Sequence, residues 1–121
     1  MSQAGEGFPK TARLLTAAQF EYVFENPRVS ADGCFTVLMR PNGVGRARLG
    51  LAISKRRVNK ASGRNRIKRL VRESFRLQCG QLPAADFVVM ARTAAATAGG
   101  KELWKSLESH WQRLIAESRR F

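Results

Sequence analysis

From Lys55 to Arg76 the chain reads KRRVNKASGRNRIKRLVRESFR, ten Lys or Arg against a single acid, Glu73. Placed at 100° per residue from Arg64, Ile67, Leu70, Val71, Ser74, Phe75 and Leu77 fall on one side of a helix. Arg64, Asn65, Lys68, Arg69, Arg72 and Arg76 fall on the other. Such a helix constrains everything around it, because its apolar back has to be covered by a sheet and its charged front has to face outward. The front is not there to support the helix. Like charges at i,i+4 destabilise a helix by about 0.2–0.5 kcal/mol per pair, and there is almost no acid at that spacing to neutralise the row. A row that costs stability needs another cause. Several guanidinium groups held in line suit phosphate, which a planar guanidinium pairs with at two points and a lysine ammonium does not.

The rest of the chain sharpens this reading. The 121 residues predict one domain spanning 1–121, with 22 basic and 9 acidic side chains and a formal charge of +13. Net +9 lies within Lys55–Arg76, so the charge is local and points to nucleic acid, the commonest large polyanion. No apolar run approaches the ~18 residues of a spanning helix, and MSQAGEGFPK has no hydrophobic signal-peptide core, so no membrane role and a cytoplasmic location are expected. Cys34 and Cys79 stand 45 residues apart without a Cys-x-x-Cys pairing, which argues for reduced thiols rather than a zinc site or disulfide framework.

Residues 1–12 are small and polar and predict a loose N-terminal arm. A helix is expected to begin at Thr16, which has capping-box spacing to Gln19, with Leu15 and Phe20 placed as a hydrophobic staple. Ala17, Phe20, Val23 and Phe24 share one of its faces, and Asn26-Pro27 stops it. Cys34–Met39 and Arg48–Ile53 read as an antiparallel pair joined by the turn sequence Pro41-Asn42-Gly43-Val44-Gly45. Asp86–Ala91 is a further strand, Thr93–Gly100 a loop, and Leu103, Trp104, Leu107, Trp111, Leu114 and Ile115 mark a last amphipathic helix.

Ala61-x-x-Arg64-Asn65-Arg66-Ile67-Lys68-Arg69 closely resembles the Arg-Asn-Arg signature of the bacterial ribonuclease P protein component, the basic subunit of the ribonucleoprotein that trims the 5′ leader from precursor tRNA. Arg13-Leu14, Phe20-x-x-x-Phe24, Gly50-Leu51-x-x-Ser54-Lys55 and Asp86-Phe87-Val88-Val89-x-Ala91-Arg92 resemble the family's other landmarks, in order, over about residues 8–115. The resemblance implies an α/β (α+β) two-layer sandwich of order α-β-β-β-α-β-α with a left-handed β-α-β crossover, one strand more than the residue patterns supply. It also implies that the catalyst is an RNA subunit requiring magnesium, with no cofactor bound by the protein. By the same resemblance Arg64, Asn65, Arg66, Lys68, Arg69 and Arg72 meet the RNA subunit. Phe20 and Phe24, with Lys55, Arg56 and Arg92, bind the single-stranded leader of precursor tRNA between the first helix and the sheet. Leu38 stands where some members carry an aromatic residue.

The alternative for Phe20 and Phe24 is a place in the core beside Val23. A catalytic role for the protein alone lacks residues: Glu21 and Glu25 are a helical pair without a histidine partner, and His110 sits at the edge of the last helix's apolar face as a boundary core residue. No Ser-His-Asp, zinc or phosphate-loop motif is legible. Two rivals remain: a ribosomal or other structural RNA-binding protein, and a DNA-binding regulator. The second is disfavoured by the lack of a compact helix-turn-helix partner, and no DNA is expected.

Overall fold

The computed structural model describes residues 12–14 and 16–119. The arm, apart from Ala12, and the Leu15 half of the staple lie outside the described residues. The elements run α1 (Ala17–Glu25), β1 (Arg28–Ala31), β2 (Phe35–Pro41), β3 (Arg48–Ala52), α2 (Ala61–Gln78), β4 (Ala85–Ala91) and α3 (Gly100–Ser118), with a 3₁₀ turn at Thr93–Ala96 inside the expected loop. Helix α1 starts as its sequence predicts: Gln19 N–H donates to Thr16 Oγ1 at 3.2 Å and Thr16 N–H donates to Gln19 Oε1 at 3.0 Å. It ends at the Asn26 cap before Pro27.

The four strands lie in the order β1-β2-β4-β3, with β3 parallel to β4 and the other neighbours antiparallel. Two sequence expectations need correction. β1 is a strand that the residue patterns did not reveal. β2 and β3 run in opposite directions but are not paired, because β4 lies between them. The connection from Asn42 to Ala47 therefore spans two strand spacings, about 10 Å, instead of closing a hairpin. Gly43 and Gly45 take positive φ of 73° and 80° there, and Asn42 holds the loop by donating to Arg46 O at 2.8 Å and accepting from Val44 N–H at 2.9 Å.

The period of two along each strand divides the sheet between two cores. Phe35, Val37 and Met39 of β2, Leu49 of β3 and Phe87 and Val89 of β4 face α2 and α3, where Ile67, Val71, Phe75, Leu103, Leu107, Trp111 and Leu114 complete the main core. Phe75, Phe87 and Trp111 meet edge to face with centroids 5.7–6.0 Å apart. Ser74 interrupts the apolar back of α2 because the buried Trp111 indole N–H donates to its Oγ at 2.8 Å. Leu77, expected on that back, is 57% exposed, since it sits at the margin of the apolar arc at the end of the helix. On the other face Leu14, Val23, Leu38 and Val88 form a smaller cluster under α1.

Two polar networks fix the ends of the sheet. Asp86, buried at the start of β4, accepts two bonds from Arg48 at 2.8 and 2.9 Å and one from Asn42 at 2.8 Å, locking β3 to β4. At the β1–β2 turn, Asp32 accepts the N–H groups of Cys34 and Phe35 at 2.9 and 3.0 Å and the Ser106 hydroxyl at 2.6 Å. His110 is fully buried beside it, with Nδ1 2.7 Å from Ser30 Oγ and Nε2 3.2 Å from Asp32 Oδ1 but out of hydrogen-bond alignment. The fold thus brings together a Ser30–His110–Asp32 contact that the sequence did not suggest. It is not a nucleophile: Ser30 is buried and its Oγ also accepts from Arg113 at 2.9 Å. His110 belongs fully to the core rather than to its boundary.

Burial lowers the pKa of His110 below the usual imidazole value, with Asp32 opposing and Arg113 reinforcing the shift. Burial works to raise Asp32, but its bonds from Ser106, Phe35 and Cys34 and the nearby His110 prevail and carry it down to about 2. Since the unfolded chain takes up a proton near pH 6.5 where the folded protein keeps His110 neutral, stability falls as pH drops through about 6.5. Asp32 stays ionised in that window. Thermal melts between pH 8 and 5.5 are therefore expected to show a falling Tm for the native protein and a nearly flat one for His110→Gln, this being the only histidine.

Candidate nucleic-acid interface

The loop after β3 and the start of α2 form one continuous basic surface. Val58, buried, anchors the loop, and Val58 N–H donates to Ser54 O at 3.0 Å. Lys55, Arg56 and Arg57 project around it, all exposed. The N-cap of α2 is Lys60, with no side-chain cap and no acid in the first turn. That helix end already carries positive partial charge from its free N–H groups, so cations there repel the helix dipole and leave the end suited to an anion.

The front of α2 divides into fastened and free side chains. Arg64 donates to Val58 O at 3.0 Å and Asn59 O at 2.9 Å, so it holds the loop against the helix as well as presenting charge. Arg66 donates to Ala98 O at 3.2 Å and ties α2 to the segment before α3. Asn65, Arg69 and Arg72 are exposed and Lys68 half-buried. Arg76 is taken out of the row by an ion pair with Glu73. The other described ion pairs also lie elsewhere, at Arg28–Glu117, Arg40–Glu25 and Arg48–Asp86. Among the described residues no carboxylate pairs with any of the nine cations from Lys55 to Arg72.

The second surface lies on the α1 side of the sheet. Strand register sets three transverse rows there: Arg40–Asp86–Arg48, then Val29–Leu38–Val88–Gly50, then Ala31–Thr36–Met90–Ala52. Helix α1 lies on the first two. Val23 packs with Leu38 and Val88, Phe20 rests against Gly50, and Arg40 lies 3.9 Å from the Tyr22 ring centroid. The third row stays partly open, with Ala31 exposed and Thr36, Met90 and Ala52 half-buried. Because β3 and β4 are parallel, both run out at this end, and the chain after them delivers Lys55, Arg56 and Arg57 from one side and Arg92 from the other. Arg57 donates to Thr93 Oγ1 at 3.2 Å across that gap. A shallow floor of two alanines, a threonine and a methionine, with cations at its open end, fits a single strand with its phosphates outward.

The two ring residues of α1 differ. Phe24 is 46% exposed, and Phe20 is half-buried in the smaller cluster, so the core alternative holds in part for Phe20 and not for Phe24. Leu38 is buried beneath α1 and offers no stacking platform. Glu25 is paired with Arg40 and Glu21 is exposed. Residue patterns did not single out Arg57 or the third row, since the row exists only once β4 has paired with both β2 and β3. Phe24→Ala is expected to change stability by less than about 0.5 kcal/mol, and Phe20→Ala to cost about 2 kcal/mol, below the range for a fully buried ring. Urea unfolding of both variants measures the difference.

The family model for Ribonuclease P matches residues 8–115. The ribonuclease P protein component of Methylococcus capsulatus is 51% identical over 107 residues, which cover 88% of this chain and 84% of that one. That of Escherichia coli is 46% identical over 106 residues, covering 88% and 89%. The ribonuclease P protein of Staphylococcus aureus superposes with a TM-score of 0.79 at 30% identity, over 86% of this chain and 94% of its own. The Thermotoga maritima protein gives 0.74 at 30% identity, over 84% and 96%. With nearly its whole length matched in sequence and in fold, and the Arg-Asn-Arg helix exposed on the surface, the chain belongs to the ribonuclease P protein family.

Proposed function

We propose that this chain is the protein subunit of ribonuclease P, binding the catalytic RNA and the 5′ leader of precursor tRNA so that the leader is removed by endonucleolytic cleavage and the mature tRNA 5′ end is formed. Asn65, Lys68, Arg69 and Arg72, with Arg64 and Arg66 through the groups their carbonyl bonds leave over, meet phosphates of the RNA subunit. The leader lies over the open third row of the sheet, against Phe24 and the exposed side of Phe20, with Lys55, Arg56 and Arg92 on its phosphates. Stacking on a ring contributes about 1–3 kcal/mol per base and tolerates any base, which lets one protein serve leaders of different sequence and broadens the range of precursors. Catalysis belongs to the RNA subunit and its magnesium ions, in the cytoplasm.

The observation that carries this reading is the allocation of acids. All four ion pairs between ionised groups neutralise residues outside Lys55–Arg72, and Asp32 is committed to its own buried network. The protein has carboxylates enough to shield this segment and places them elsewhere. A structural RNA-binding protein would share that feature but not the cleft, and so would bind precursor and mature tRNA alike.

Arg69→Glu with Arg72→Glu leaves the carbonyl-fastened Arg64 and Arg66 intact. It is expected to preserve the circular dichroism spectrum, weaken binding to ribonuclease P RNA, and reduce the slope of log affinity against log salt by about 1.5 to 2, one phosphate contact per residue. An unchanged slope would remove this face from the assignment. Single-turnover cleavage with protein alone, RNA alone and both separates subunit from nuclease. The protein alone is expected to leave precursor tRNA uncut, and its addition to the RNA to lower the magnesium required, because its positive charge relieves phosphate repulsion that the metal otherwise screens.

A further inference from the structure

Gly50 sits in the interior of β3, where glycine weakens a strand, and its φ is not in the left-handed region that would require it. The requirement is space. A Cβ at this position would stand 2.7 and 2.8 Å from Cζ and Cε2 of Phe20 and 3.0 Å from Cδ1 of Leu14. The tip of the Phe20 ring thus occupies the place where every other residue would have a side chain. Gly33, Gly43, Gly45, Gly80, Gly99 and Gly100 have no atom within 4 Å of such a Cβ, and Gly63 meets only Val58, at 3.2 Å. Gly50 alone among the described glycines is overlaid by an aromatic ring.

What the ring does there depends on its surroundings. Arg13-Leu14 runs along the free edge of β3, with Arg13 bridged to Leu49 and Leu14 N–H donating to Leu49 O at 3.0 Å. Beside it opens a recess of about 190 Å³ lined by Phe20, Leu49, Gly50, Leu51, Arg13 and Leu14, together with Lys68 and Arg72 from the front of α2. The recess is therefore where the cleft and the arginine helix adjoin, and Phe20 is the one ring among the described residues that line it. The depth of that ring on the sheet sets both the floor of the recess and the height at which its exposed side meets the cleft.

We infer that Gly50 is a positioning residue for nucleic-acid binding, its missing side chain seating Phe20 low on β3 so that the ring joins the leader cleft to the Lys68–Arg72 side of α2. This rests on the leader reading given above. A methyl group at position 50 forces Phe20 to retreat until ordinary contact, 3.4 Å or more, is restored, which lifts it into the recess.

The test is a double-substitution cycle on the full chain assembled with ribonuclease P RNA, measuring affinity for leader-bearing precursor tRNA, affinity for mature tRNA, and the Tm of the free protein. Gly50→Ala is expected to reduce the precursor-to-mature affinity ratio by about five- to tenfold, the lower part of what one base–ring stack supplies. In a Phe20→Ala background the same change is expected to leave the ratio and the Tm where Phe20→Ala alone puts them, because the clash with the ring has gone and the Leu14 methyl, 3.0 Å away, can shift into the space the ring leaves. Losses that multiply across the cycle, or equal weakening of both tRNAs by Gly50→Ala, overturn the inference. If Gly50→Ala alone does not fold, the Tm and ratio of the Gly50→Ala, Phe20→Ala protein against Phe20→Ala decide it by the same comparison. A Phe20→Ala protein whose ratio is unchanged instead refutes the leader reading at this ring.

Discussion

The edge-to-face packing of Phe75, Phe87 and Trp111 is the contact on which the basic surface depends. One ring comes from α2, one from β4 and one from α3, so this single cluster clamps both helices to the sheet. Once Phe75 is fixed, the rotation of α2 about its axis is fixed as well, and Lys68, Arg69 and Arg72 are held outward. The Ser74–Trp111 hydrogen bond adds direction, because an indole N–H buried without a partner costs more than a well-placed one returns. Rigidity matters here because aligned guanidinium groups have less freedom to lose when they meet phosphate than the same groups on a flexible segment.

The charged front and the polar networks are two halves of one electrostatic arrangement. Asp86 and Asp32, the best-connected carboxylates, work inside the fold: Asp86 holds β3 to β4 through Arg48, and Asp32 closes the β1–β2 turn under α3. Glu25, Glu73 and Glu117 pair at the surface with Arg40, Arg76 and Arg28. Surface pairs of this kind contribute about 0–1 kcal/mol each, so their effect on the potential outweighs their effect on stability. They lower the charge of the rest of the surface and leave the positive field strongest over one loop and one helix.

How much of this was legible in the sequence differs from element to element. The Thr16–Gln19 box, the two-faced character of α2 and the unbroken apolar run of β4 are local signals, and the structure follows them. β1 is otherwise: it is four residues long and its one buried side chain is Ser30, so no apolar alternation marks it. Its inner face is held by Ser30 against His110 and by Arg28 against Glu117, contacts 80 and 89 residues apart in the chain. The residues after Pro41 form a turn but not a hairpin, because which strand lies beside β2 is decided by β4, more than 40 residues on. The same holds for the site. The signature residues of α2 announce themselves by charge, whereas the open row Ala31–Thr36–Met90–Ala52 is made of unremarkable side chains that come together only through strand register.

The differing fates of Phe20 and Phe24 show why a ring pattern alone does not separate core from contact surface. Both lie on one face of α1, yet a nine-residue helix crossing a twisted sheet meets a different strand at each turn. Where it crosses β3, Gly50 lets Phe20 sink; Leu38 and Val88 meet Val23 nearer the middle of the sheet, and Phe24 is left exposed. The helix is therefore anchored at one end by the residue that also lines the recess, and its other end carries an exposed ring. An aromatic surface for single-stranded nucleic acid has to be firm enough to stack against and open enough to reach. Here the firmness comes from burying one side of Phe20 in the small cluster, and the openness from the third row, which α1 leaves partly uncovered.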